Sequence, residues 1–176
     1  MSFLASIFKT SSDIGQWVSK GVTYQGSGGA SVGKDKIVKC LFCDIAAKKA
    51  PGSIVSETDE FVVFRTIQPY TANHVLVVPR KHVQSVHFLK GEEDAQQVER
   101  MVEAGKCALN SLESGMGDSA QFRFHIPPIN SIDHLHLHAI GHPETLSLLG
   151  ALKYRAATFY CWDAAETAAY SRAQLK

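Results

Sequence analysis

From Asp133 to Ile140 the chain reads Asp-His-Leu-His-Leu-His-Ala-Ile, a strict alternation of imidazole and apolar side chains. On a strand, successive side chains point to opposite faces. His134, His136 and His138 then stand on one face, about 6.5 Å apart along the strand, and Leu135, Leu137 and Ala139 take the other. The apolar face can anchor on a core while the histidines face a site. Three aligned imidazoles suit two chemistries. They can hold a catalytic metal as a tripod with an open position, or one neutral imidazole can attack as a nucleophile while its neighbours bind an anion. The pattern alone does not separate the two. Five of the eight histidines fall between His125 and His142, where even placement would put about one, so chemistry is sought there first.

The rest of the chain reads as a single soluble domain. Its 176 residues are enough to bury a core. With 18 basic and 17 acidic residues the formal charge is +1, which gives no general attraction to nucleic acid or membrane surfaces. No run of 18 apolar residues is present to span a bilayer. Cys40 to Lys49 reads as a short helix closed by Pro51–Gly52. Ile54–Val55 and Phe61–Phe64 read as strands around a turn at Thr58–Asp59. His74–Val78 is a β-branched strand ended by Pro79. A long helix is predicted from about Gly91 to Leu112, with Val98, Met101, Val102, Ala108, Leu109 and Leu112 as its apolar stripe. Strands over Phe122–His125 and Ile132–Ile140 follow, separated by Pro127–Pro128. Strands in series around one long helix imply an antiparallel α+β domain. Residues 36–176 are assigned to it, with a C-terminal tail whose patches carry no chemical signal.

Residues 1–35 are assigned to an N-terminal extension and a glycine-rich linker. Phe3, Leu4, Ile7, Phe8, Ile14, Trp17 and Val18 recur at roughly helical spacing. That fits an amphipathic segment, with membrane contact or organelle targeting as the sharper alternative. The stretch lacks Arg and contains Asp13, unlike a transit peptide. The expected location is the cytoplasm or the nucleus, with mitochondrial targeting as the competing case. Gly28, Gly33 and Lys34 match the outline of a phosphate-binding loop, but Asp35 stands where Ser or Thr is needed and no helix follows. Cys40 and Cys43 form a C-x-x-C, a metal or redox pair, and Cys107 and Cys161 are expected to be buried as small apolar residues.

The H-x-H-x-H run resembles the signature of the histidine-triad superfamily of nucleotide hydrolases and transferases. Asn73–His82 (NHVLVVPRKH), Cys40–Ser53 (CLFCDIAAKKAPGS), Phe124–His138 (FHIPPINSIDHLHLH) and Leu149–Tyr160 (LGALKYRAATFY) resemble the third branch of its Hint proteins. The resemblance covers about residues 40–160. It implies a homodimer that hydrolyses nucleoside 5′-phosphoramidates, with a purine nucleotide phosphoramidate or a related AMP ester as substrate and no catalytic metal. His136 would be the nucleophile, His74 and His138 the phosphate ligands, Ser131 a hydrogen-bond partner of phosphate or leaving amine, and His125 a leaving-group or proton-transfer partner. Phe42, Ile45 and Phe64 would form an apolar nucleoside pocket. Thr66 stands where most relatives carry an Asp for the ribose, and a hydroxyl cannot offer a bidentate carboxylate. The resemblance also implies structural zinc on Cys40, Cys43, His82 and His134, which would remove His134 from the catalytic set. Removal of 5′-adenylate from nucleic acid, as in the related aprataxins, dinucleoside polyphosphate hydrolysis, and a nucleotide-binding interaction module with weak catalysis remain the alternatives. His142 has no assigned role.

Overall fold

The computed structural model describes residues 16–25 and 36–174. Strands β4 (Ile54–Glu57), β5 (Phe61–Arg65), β6 (His74–Pro79), β7 (Gln121–His125), β8 (Leu137–Ile140) and β9 (Cys161–Asp163) form one antiparallel sheet, in the order β4-β5-β6-β8-β7-β9. This is the α+β architecture that the alternating strands imply. The central strands are buried on both faces, which is why they read as nearly unbroken apolar runs. Val63, Val75, Val77, Leu137 and Ala139 face one layer; Val62, Phe64, Leu76 and Val78 face the other.

The first layer is helical. Helix α2 (Gly91–Leu112) lays Ala95, Val98, Met101, Gly105, Ala108 and Leu109 along the sheet, the three-to-four spacing of one helical face. Glu92, Glu93 and Asp94 sit in its first turn, where carboxylates complement the helix dipole. Helix α5 (Ala164–Ala173) packs beside it, started by a capping box between Asp163 and Glu166. The single turn α3 (Met116–Ser119) follows α2, and the short α4 (Leu148–Lys153) and α5 lie in the C-terminal tail, whose helical patches carry no chemical signal. No described helix is long and apolar enough to cross a membrane.

Gly105 fixes how close α2 comes to the back of the histidine strand. A Cβ there would meet Phe122 Cε1 at 3.1 Å, Ala139 Cβ at 3.2 Å and Val77 Cγ2 at 3.3 Å. Gly105→Val is therefore expected to lower unfolding free energy by about 1–3 kcal/mol through overpacking, read as a reduced urea midpoint. An unchanged midpoint would show that the helix moves out freely.

The second layer holds helix α1 (Leu41–Ala46) and a small sheet of β1 (Gln16–Ser19), β2 (Val22–Gln25) and β3 (Lys36–Cys40). The helical spacing read for the first 20 residues does not extend to Trp17 and Val18. Both lie in β1, which pairs with β2. Val22 and Tyr24 are buried with Cys40, Phe42 and Ile45, so the hairpin packs on the domain rather than leading away from it. Residues 1–15, and the linker and phosphate-loop outline at 26–35, lie outside the described residues.

Two further readings are corrected. The ladder of β8 begins at Leu137, not Ile132. Cys107 is exposed on α2, with its thiol 3.9 Å from Glu103 Oε1. Cys161 is buried as expected, and burial pushes its thiol up to about 11.

Candidate active site

Alternation survives although the ladder is shorter. Leu135, Leu137 and Ala139 are in the helix-side core, and the three histidines face the layer of Phe42. Register then assembles the cluster. His138 lies opposite Leu76 on β6 and Arg123 on β7, two residues from His74 and from His125 respectively. His136, His125 and His74 consequently surround His138, with ring centroids at 5.1, 4.7 and 5.2 Å.

Hydrogen bonds assign the tautomers. The Tyr70 N–H donates to His74 Nδ1 at 3.3 Å, so the proton of neutral His74 is on Nε2. That Nε2 donates to His138 Nδ1 at 3.0 Å, which leaves the His138 proton on Nε2. His136 differs. Its Nδ1–H donates to the His134 carbonyl at 2.6 Å, which leaves a lone pair on Nε2. The Nε2 atoms of His125, His136 and His138 are all buried without a hydrogen-bond partner. A lone pair and an N–H donor thus stand on adjacent imidazoles.

Burial also keeps these rings neutral. Desolvation holds His74 at about 4, with Lys153 and His125 adding repulsion. Desolvation and then Lys153 and His136 hold His125 at about 4. Desolvation holds His136 at about 4 against the His134 carbonyl, which favours the proton, and pushes His138 well below its ordinary value. A neutral imidazole keeps its attacking lone pair at neutral pH.

His134 turns elsewhere. Its Nε2–H donates to the Pro79 carbonyl at 2.9 Å, aiming the Nδ1 lone pair at Cys40 Sγ, 3.3 Å away, and Cys43 Sγ, 3.5 Å away. His82 Nδ1 lies 3.3 Å from Cys43 Sγ. The four donor atoms are all within 4.8 Å of one another. Tetrahedral zinc with ordinary bond lengths needs sulfur–nitrogen edges of about 3.6 Å, so the donor set fits a four-coordinate ion. The hydrogen bond to Pro79 fixes Nδ1 as the nitrogen that would ligate the ion. Without metal, the Cys43 hydrogen bond holds the Cys40 thiol far below its usual value, and that same interaction and burial push Cys43 up. The catalytic tripod is not formed, because His134 belongs to this cluster and His138 presents a proton.

The remaining residues implied by resemblance divide. Phe42 meets Phe64 edge-on at 5.4 Å and His136 at 5.3 Å, and Ile45 is buried with them. Thr66 is half-buried just after β5, its hydroxyl accepting from the Gln68 N–H at 3.3 Å. Ser131 is exposed in the loop before His134, with no hydrogen bond to its hydroxyl among the described residues. His142 lies on the surface between Glu113 and Glu144, whose carboxylates raise its pKa.

Sequence reading missed Tyr154 and Lys153. The Tyr154 ring lies 5.0 Å from His125, 5.1 Å from His138 and 5.5 Å from His74. Lys153 Nζ stands 4.6 Å above the Tyr70 ring and 3.3 Å from its hydroxyl. Arg123 Nε donates to the Tyr154 carbonyl at 3.1 Å and holds the tail in place. The one available signal was the tail segment LGALKYRAATFY, which resembled the family without singling out a residue.

Comparison with known proteins supplies the family. The family profile described as "Scavenger mRNA decapping enzyme C-term binding" matches residues 39–153. The chain is 34% identical over 124 residues to a Xenopus tropicalis protein named adenosine 5′-monophosphoramidase HINT3, covering 70% of this chain and 80% of that one. The chain belongs to the histidine-triad superfamily. Its relatives there are Hint-type. A histidine-triad family hydrolase from Legionella pneumophila superposes with a TM-score of 0.53 at 27% identity, over 59% of this chain and 93% of that one. A protein described as a zinc-bound histidine-triad family protein from Mycobacterium smegmatis shares the fold, with a TM-score of 0.50 at 21% identity over 77% of this chain and 92% of that one.

Proposed function

We propose that this histidine-triad protein is a hydrolase of nucleoside 5′-phosphoramidates, cleaving the P–N bond between AMP and an amine. The carrying observation is the tautomer pair, a free Nε2 lone pair on His136 beside the Nε2–H of His138. The His136 lone pair attacks phosphorus, the P–N bond breaks, and the bonding electrons leave with the amine nitrogen, which takes a proton from water while the Nε2–H of His138 hydrogen-bonds a phosphoryl oxygen. Water then attacks the nucleotidyl-histidine. The P–N bond to His136 breaks, its electron pair returns to Nε2, and the proton released by the attacking water neutralises the hydroxide left by the first step. His74 fixes the His138 tautomer and adds a donor toward phosphate through it. His125, whose buried Nε2 is unpartnered beside His138, assists the proton transfers. Ser131 is assigned to the leaving amine.

Phe42, Ile45 and Phe64 give the base an apolar surface beside His136, with Thr66 toward the ribose. The adenosine reading rests on the name of the Xenopus relative. Cys40, Cys43, His82 and His134 are assigned to a structural zinc ion, supported by the grouping of their four donor atoms within 4.8 Å of one another and by the zinc named for the Mycobacterium relative. With all four positions held by protein, the ion ties α1 to the histidine strand and takes no part in the bond changes.

The experiment is steady-state turnover of a fluorogenic AMP-phosphoramidate by the full chain, with a dinucleoside polyphosphate in parallel. Faster kcat/KM on the phosphoramidate is expected. Absence of turnover on it, or a preference for the polyphosphate, would overturn the assignment.

A further inference from the structure

The N-terminal hairpin grips the loop that delivers the histidine strand. Lys20 and Gly21 form its tip, with φ of 40° and 75°, a left-handed pair that turns two antiparallel strands tightly. The tip brings the Lys20 ammonium onto residues 128–130. Its Nζ donates to the carbonyl of Pro128, to the Asn130 carbonyl at 2.8 Å and to Asn130 Oδ1 at 2.9 Å. An ammonium has three donors and no acceptor, so these three oxygens satisfy it completely and set which way the Asn130 amide points. Asn130 Nδ2 is then turned to Asp133 Oδ1 at 2.9 Å and to the Ile132 carbonyl at 3.1 Å.

Asp133 closes the clasp. Its Oδ2 accepts from Ser19 Oγ at 2.5 Å, its N–H donates to the Lys20 carbonyl at 3.2 Å, and its own carbonyl accepts from the Tyr24 hydroxyl at 3.5 Å. Lys20 is partly buried here, and desolvation draws its pKa down against the attraction of Asp133. Within this loop Ser131 alone is exposed among residues 130–133, on backbone held from both sides. The next residue after Asp133 is His134, whose carbonyl sets the His136 tautomer. Asn130 lines the same small cavity as His125 and His136. All of the hairpin lies outside the matched residues 39–153.

We infer that Lys20 is a positioning residue for the proposed phosphoramidase reaction, clamping the loop 128–133 so that Ser131 and the His134 carbonyl are held in register with His136. This rests on the function proposed above, and the test separates the two. The full chain is compared with Lys20→Met, which keeps the stem and loses the donors, and with Lys20→Arg, which keeps a cation. On the AMP-phosphoramidate, Lys20→Met is expected to lower kcat about tenfold, the scale of one charge-assisted hydrogen bond, with KM within about twofold. Lys20→Arg should restore most of kcat. Backbone hydrogen exchange over residues 129–136 should accelerate about tenfold in Lys20→Met, while amides of α2 stay unchanged. A purely structural contribution would lower stability and leave kcat per folded molecule alone.

Unchanged exchange at 129–136 in Lys20→Met would overturn the inference, as would an unchanged kcat or a loss confined to KM. A wild-type chain with no turnover would sink the proposed function, and the exchange measurement would still judge the clamp. Should Lys20→Met fail to fold, Ser19→Ala removes one bond of the clasp. Faster exchange confined to 129–136 in that variant supports the inference, and unchanged exchange overturns it.

Discussion

His136→Ala loses about 10⁴-fold or more in kcat on an AMP-phosphoramidate, while nucleotide binding falls by far less. The magnitude follows from what is removed. On the proposed mechanism, removing the imidazole removes the nucleophile, so the two-step path is lost and only positioning by the neighbouring groups remains. Binding is spared because the apolar surface of Phe42, Ile45 and Phe64 stays in place. Wild-type enzyme mixed with substrate and quenched in alkali should carry a nucleotidyl group on the peptide containing His136, detected by mass spectrometry. The alanine variant should carry none. A variant that kept a tenth of the wild-type kcat would place the nucleophile elsewhere, and direct attack by water would become the simpler mechanism.

That expectation rests on tautomers, which no sequence displays. His134, His136 and His138 look equivalent in an alternating run. Each takes a different role because a different backbone group or side chain occupies one of its nitrogens: Pro79 O for His134, His134 O for His136, and His74 Nε2 for His138. The apolar half of the pattern was directly legible, since Leu135, Leu137 and Ala139 enter the core as period two requires. Strand pairing was legible only in part. Beyond Arg123↔His138 the ladder between β7 and β8 stops, and Pro127 and Pro128 bring no N–H with which to extend it.

Other failures have equally local causes. The spacing of Trp17 and Val18 suits the helical face read for the first 20 residues, but both lie in β1 and the Lys20–Gly21 turn reverses the chain directly after it. Cys107 was assigned to the core on residue type. Helical period argues the other way, because Met101, Gly105 and Ala108 define the buried stripe and Cys107 falls on the opposite side. Tyr154 and Lys153 reach the histidines only because Arg123 holds the tail against the edge of the sheet. Such long-range placement leaves no periodic trace.

Cys40→Ser lowers stability by about 3–5 kcal/mol, the range in which loss of a structural metal falls. For a chain of this length that corresponds to a drop in Tm on the order of 10 °C. Serine preserves the size of the side chain but gives up the thiolate that makes zinc binding strong. The site lies where loss is felt widely. Cys40 ends β3 at the position before α1, His134 lies three residues ahead of β8, and His82 follows β6. One ion held by these residues would therefore join three separate segments. Zinc content, measured by elemental analysis, should be about one per chain in the wild type and far lower in Cys40→Ser. Prolonged treatment with a strong chelator should bring the wild-type Tm down to that of the variant and leave the variant unmoved. Equal melting of the two proteins, with or without chelator, would mean that Cys40, Cys43, His82 and His134 hold one another by hydrogen bonds alone. In that case His134 would be free to change partners, and the separation of the metal cluster from the catalytic pair would have to be drawn again.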